Sequence, residues 1–168
     1  DGADDYITKP FDDDMLVARV DSLLRNRSNL RKYFLESITL KENTQKVPVE
    51  YQDLLEKCID IVEANIHKRD FKIKNFAMEM GMSHSMLYTK IKIISGETLN
   101  SFIRSVRLRR AAMLMLTKDI NIAQASAEVG FEDSKYFRQQ FVKLFGMTPS
   151  EYIKKYKSSF NADTNIVK

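Results

Sequence analysis

One cysteine, no tryptophan, three prolines and five glycines are all that this 168-residue chain has of those residue types. With Cys58 alone no internal disulfide can form, so the fold cannot rest on the cross-links of small secreted domains, and a reducing compartment suits it. Cys58, His67 and His84 are too few and too far apart for a zinc site, so no metal is expected. Glycine and proline are too scarce for a collagen-like or low-complexity segment, and ten Phe with seven Tyr argue against disorder. No apolar run approaches the roughly 18 residues of a membrane span. The chain opens on Asp1-Gly2-Ala3-Asp4-Asp5 and not on the basic start of a signal peptide, so a cytoplasmic location without a membrane partner is expected. The absence of an initiating Met suggests a piece of a longer protein. Catalytic sets are missing too. There is no Ser-His-Asp arrangement, phosphate-binding glycine loop or pair of catalytic carboxylates, so neither an enzyme nor a cofactor is expected.

What remains is apolar enough, at 43% hydrophobic residues, for one or two small domains. The net charge of +4 is uneven: residues 1–50 carry 8 Lys/Arg against 10 Asp/Glu (−2), residues 51–168 carry 19 against 13 (+6). A basic second part is what a polyanion-binding domain needs, because positive potential attracts phosphates and releases their counterions.

Tyr6-Ile7-Thr8 reads as a short strand ended by Lys9-Pro10. Asp12, Asp13 and Asp14 cap a helix carrying Leu16, Val20, Leu23, Leu24, Leu30 and Phe34, expected from about residue 12 to 26 and extendable to 36. Residues 37–49 are mostly polar and read as a linker. From residue 50 to 157 the pattern is helical throughout, beginning with Leu54, Leu55, Cys58, Ile61, Val62 and Ile66, and the stop and start signals leave room only for short loops. That predicts an all-α domain, followed by a polar tail over 158–168.

Within it, one stretch repeats another at an offset of 49–50 residues. Phe76-Ala77 and Met80-Gly81 correspond to Ala125-Ser126 and Val129-Gly130; Ser83, Leu87, Ile91 and Gly96 correspond to Asp133, Phe137, Phe141 and Gly146. Each copy reads as helix, glycine turn, N-cap, helix, which is the helix-turn-helix arrangement whose second helix enters the major groove. In the first copy Leu87, Ile91 and Ile94 form the inward stripe, leaving Ser85, Tyr88, Thr89 and Lys92 outside. In the second, Phe137, Phe141 and Leu144 point inward, and Lys135, Arg138, Gln139 and Val142 face out. Lys and Arg pair with guanine acceptors, Gln with adenine, and Ser, Thr and Tyr with bases or phosphates, so the second helix carries the stronger readers. An ordinary solvated face explains one such helix; two at matched positions argue for a shared ligand.

The intervening helix, about 98–117, is apolar at Phe102, Ile103, Val106, Ala111, Leu114 and Met115 and carries Arg104, Arg107, Arg109 and Arg110. These arginines can grip phosphates or pair with nearby acids. His84, Lys92, Arg104, Arg107 and Arg110 make up the expected phosphate-contacting set. Cys58 and Met78, Met80, Met82, Met113 and Met115 read as core or interface filler.

These residues resemble the AraC/XylS-type transcriptional regulators over roughly 50–157. The resemblance rests on Gly81-Met82-Ser83 with Leu87, on Phe102-Ile103-Arg104 and Arg107 to Ala112 with Leu114, and above all on Val129-Gly130-Phe131, Asp133, Tyr136-Phe137-Arg138, Phe141, Lys143, Phe145-Gly146, Thr148-Pro149 and Tyr152. It implies seven helices with two helix-turn-helix units joined by a long central helix. It also implies double-stranded DNA as partner, RNA polymerase as a further one, and base-facing positions at Ser85, Tyr88, Thr89, Lys135, Arg138 and Gln139. Two residues depart from the family pattern. Ala125-Ser126 replaces the usual Ile-Ala, so Ser126 needs a hydrogen bond back to a carbonyl, and Thr89 sits where many relatives have a basic residue.

Gly2 to Phe11, with Leu16, Arg19 and Leu23-Leu24, resembles the end of a response-regulator receiver domain, covering its last strand and helix. That resemblance implies a phosphoryl-contacting role for Lys9 and a cis bond at Pro10. The phosphoacceptor and metal-binding acids would lie upstream, so no phosphorylation of this fragment is expected, and the acidic cluster is left to solubility and capping. Together the two resemblances imply the output end of a two-component or hybrid regulator. The competing reading is a helical protein-interaction module. Without the receiver sheet, residues 12–36 expose apolar side chains and are expected to mediate a homodimer.

Overall fold

Helix-forming runs separated by capping residues account for the whole architecture of the computed structural model, which describes residues 13–68 and 70–166. The expected strand at 6–8 and the Lys9-Pro10 bond lie outside the described residues. The described residues form eight helices: α1 (Asp13–Ile38), α2 (Val49–Ala64), α3 (Ile73–Met80), α4 (His84–Ser95), α5 (Leu99–Thr117), α6 (Ile122–Glu128), α7 (Ser134–Phe145) and α8 (Pro149–Ile166). Among the described residues there is no strand. The expected seven-helix domain is α2 to α8, and α8 continues as helix to Ile166 through most of the stretch expected as a polar tail.

Two apolar clusters share one helix. Val62, Phe76, Leu87, Ile91 and Phe102 belong to the first, which α1 to α4 build with the N-terminal half of α5. Leu108, Met115, Val129, Phe137, Phe141 and Tyr152 belong to the second, built by the C-terminal half of α5 with α6, α7 and α8. The change of partner falls between Val106 and Leu108, which is why α5 buries residues on nearly every side. Arg107 sits at that seam.

Helix α1 differs most from the sequence-based expectation. It runs unbroken to Ile38, and Leu30, Phe34 and Ile38 are buried in the main body of the molecule. Phe34 stacks on Phe102 of α5 with ring centroids 5.8 Å apart. Residues 39–48, within the linker expected over 37–49, are pinned on both sides: Glu36 accepts from Thr44 N and Oγ1 at 2.9 and 2.7 Å, and Val47 is buried. The end of α1 is therefore packed as part of the helical domain and not held apart from it. The spacing Leu16, Val20, Leu23, Leu30, Phe34, Ile38 gives one apolar stripe; among the described residues its second half is buried, while Val20 is exposed and Leu16 and Leu23 are half-exposed.

Candidate nucleic-acid interface

The duplication inferred from side chains recurs in the backbone bonds. In the first unit Gly81 N donates to Met78 O and Met82 N to Ala77 O, both at 3.0 Å; in the second Gly130 N donates to Ala127 O at 3.1 Å and Phe131 N to Ser126 O at 3.0 Å. Both glycines are left-handed, φ +68° at Gly81 and +88° at Gly130, a conformation that costs a residue with a Cβ about 1–2 kcal/mol. One extra residue follows in the second turn, and from there the offset is 50. Ser83 Oγ accepts from Met86 N at 3.2 Å and Asp133 Oδ1 from Lys135 N at 2.8 Å, capping α4 and α7. Thr98 and Thr148 then cap α5 and α8, accepting from Ser101 N and Glu151 N at 3.2 Å each.

The caps fix the rotation of α4 and α7. Leu87, Ile91 and Ile94 are buried on α4, as are Phe137 and Phe141 on α7, with Leu144 half-buried against both clusters. The opposite faces are open: Ser85, Tyr88, Thr89 and Lys92 are exposed on α4, with His84 at its first turn, and so are Lys135, Arg138 and Gln139 on α7. Lys135, Arg138 and Gln139 have no side-chain partner among the described residues, so their donors and acceptors are available to a ligand. Thr89 is less free, because its hydroxyl donates to Ser85 O at 3.0 Å. Of the expected base-facing residues, Ser85 and Tyr88 on α4 are thus left uncommitted, against Lys135, Arg138 and Gln139 on α7.

The four arginines of α5 divide into different roles. Arg109 is structural: Nη1 meets Glu63 Oε1 at 2.7 Å and Nε donates to Ser37 O at 3.3 Å, tying α5 to α2 and to the end of α1. Arg104 donates to two hydroxyls, Tyr136 OH at 3.2 Å and Ser101 Oγ at 3.3 Å; no carboxylate among the described residues bonds it directly, and Ser101 Oγ in turn donates to Glu97 Oε2 at 3.1 Å. Arg107 lies against the second turn, its Nη1 3.4 Å from where a Cβ on Gly130 would stand. Its Nε is shielded from solvent without a partner, and burial lowers its pKa below the usual arginine value. Arg110 is half-exposed with no polar partner among the described residues.

Arg104 and Arg107 line a cleft of about 730 Å³ between the units, and Lys72, Lys74 and Tyr136 line it with them. Sorting the faces of the second helices could not find Lys72 and Lys74, because they lie at the start of α3. A signal was present in the sequence, since Lys68, Arg69, Lys72 and Lys74 form a basic run.

Two side chains depart from expectation. Ser126 is 1% exposed and its Oγ has no hydrogen-bond partner, so the bond back to a carbonyl is not made. Met78 is 69% exposed and so is not core filler, whereas Met80 and Met115 are buried. Cys58 is buried with its Sγ 3.9 Å from Met80 Sδ, and burial pushes the thiol up to about 12. Among the described residues no helix is long and apolar enough to cross a membrane.

Comparison with known proteins agrees with this geometry. Residues 76–155 match the family described as "Helix-turn-helix domain". The chain is 38% identical over 159 residues to a protein named histidine kinase P4 from Formosa agariphila, covering 95% of this chain and 12% of that protein. It is 34% identical over 105 residues to the HTH-type transcriptional activator RhaR of Escherichia coli K12, covering 62% of this chain and 37% of RhaR. The chain therefore spans well under half the length of these relatives. In fold it is similar to a transcriptional regulator from Chromobacterium violaceum described as containing an AraC-type DNA-binding domain, with TM-score 0.57, 24% identity, and coverage of 64% of this chain and 96% of that one. What is shared with that structure is the all-helical fold.

Proposed function

We propose that residues 76–155 form an AraC-type helix-turn-helix domain and that this chain binds double-stranded DNA sequence-specifically as the output end of a two-component regulator. The observation that carries the reading is the pair of capped helices, α4 and α7, each with a buried stripe and an open polar face at duplicated positions. The two helices read successive major-groove segments about one turn, ~34 Å, apart. Lys135, Arg138 and Gln139 supply most of the base discrimination, with Ser85, Tyr88 and Thr89 adding a weaker contribution. His84, Lys92, Arg104, Arg107 and Arg110 contact phosphates. The two-component role is supported by similarity to a protein named a histidine kinase, which extends over 95% of this chain and so beyond the helix-turn-helix units.

The test is to select bound sites from a random-sequence duplex pool and then measure variants on the selected and on scrambled DNA. Lys135→Ala or Gln139→Ala should cost about 1–3 kcal/mol on the selected site and relax the preference at one position. Equal losses on both duplexes would remove these residues from the reader set. A second reading concerns association. Val17, Val20 and Leu24 are 45–59% exposed on one face of the N-terminal half of α1, and burial of that face between two copies gives a homodimer. Sedimentation of a monomer at high concentration would exclude it.

A further inference from the structure

We propose that the cleft between the two helix-turn-helix units is itself a DNA contact, in which Lys72, Lys74, Arg104 and Arg107 hold the backbone phosphates that run from one recognised groove segment to the next. The proposal rests on the DNA-binding reading above and adds to it Lys72 and Lys74 of the first unit, which join Arg104 and Arg107 in one continuous contact.

Charge balance is the first argument. Arg109 shows how this fold neutralises a structural arginine, with a carboxylate at 2.7 Å. Earlier on the same helix, Arg107 and Arg104 line the cleft without a carboxylate partner among the described residues. Arg104 is oriented by two neutral hydroxyls, and the nearest carboxylate the bonds reach, that of Glu97, is held one hydroxyl away through Ser101. Arg107 keeps an Nε that is shielded yet unbonded. A half-buried guanidinium in that condition is stabilised by an anion, and its planar donors match phosphate oxygens.

Placement is the second. The walls come from the start of α3 in the first unit, from α5, and from the second turn and Tyr136 of α7 in the second unit. A backbone serving both recognition helices has to cross from one unit to the other, and this cleft is where the two units meet. Lysines and arginines here face no partner that would select a base edge, so the contact is indifferent to sequence. Two acids also line the cleft. The Asp133 carboxylate is engaged in capping α7, whereas Glu132 is exposed and opposes an incoming phosphate.

The experiment measures affinity against salt concentration for this chain, for Lys72→Gln/Lys74→Gln and for Glu132→Gln, on a selected and a scrambled duplex. All three positions are exposed, so unfolding midpoints should match, and this is checked alongside. The double variant should lose affinity equally on both duplexes, with its log–log salt slope shallower by about 2. Glu132→Gln should raise affinity on both. An unchanged slope in the double variant, or a loss confined to the selected duplex, would overturn the cleft contact while leaving the DNA reading intact. Failure of the unmodified chain to bind either duplex would overturn both.

Discussion

Replacing Phe34 by Ala tests whether the end of α1 belongs to the helix-turn-helix fold or only leads into it. Phe34 is 3% exposed and stacks on Phe102, which in turn stacks on Phe76 at 6.1 Å, so three helices meet along one row of rings. Truncation to Ala removes the ring and leaves a cavity that neighbours on α3 and α5 cannot easily close. Such Phe→Ala changes cost about 3–5 kcal/mol, a large share of the roughly 5–15 kcal/mol that stabilises a domain. With a urea m-value of about 2 kcal/mol per molar, the midpoint should fall by about 2 M with m unchanged. Leu24 on the same helix is 59% exposed, and Leu24→Ala should stay within about 0.5 kcal/mol of the parent. Urea unfolding measured by far-UV circular dichroism reads both. A Phe34→Ala cost below about 1 kcal/mol, comparable to that of Leu24→Ala, would refute the packing of α1 into the domain and return its boundary to residue 50.

Two further outcomes rest on single buried groups. Ser126→Ala removes a buried hydroxyl that has no partner, so it should stabilise the chain by about 1 kcal/mol, read as a higher melting temperature; a destabilised variant would mean that the hydroxyl is bonded. Burial pushes the Tyr152 phenol from 10.0 up to about 12 and the Cys58 thiol from 9.0 up to about 12. The unfolded chain therefore loses these protons first, and their contribution to stability is complete below the unfolded values and is lost as pH rises through the folded ones. Melting temperature should fall above pH 9, and Tyr152→Phe should flatten the part of that fall between pH 10 and 12. Identical pH profiles for the variant and the parent would refute the phenol's part.

How much of this was legible before folding depends on the range of the forces involved. The capped turns at Gly81 and Gly130, the buried stripes Leu87-Ile91-Ile94 and Phe137-Phe141, and the open faces carrying Lys135 and Gln139 all depend on spacing within one helix and its cap. Local periodicity encodes such features, and the duplication read them out twice. Arg109 shows where local reading stops. Four arginines on one helix look alike in sequence, and only the arrival of Glu63 from α2 and the Ser37 carbonyl from α1 makes this one structural. The isolation of Ser126 has the same origin, since a hydroxyl lacks a partner only because of what packs around it.

The amino-acid order by itself determined the all-helical class, the two repeated units and the faces they turn outward, because helix period, glycine turns and caps act over a few residues. Tertiary packing alone decided that α1 shares a core with the first unit, that α5 changes partners at Arg107, and that Lys72 and Lys74 join Arg104 in one cleft. Those three outcomes depend on contacts between residues about 30 to 70 positions apart, which no local pattern records.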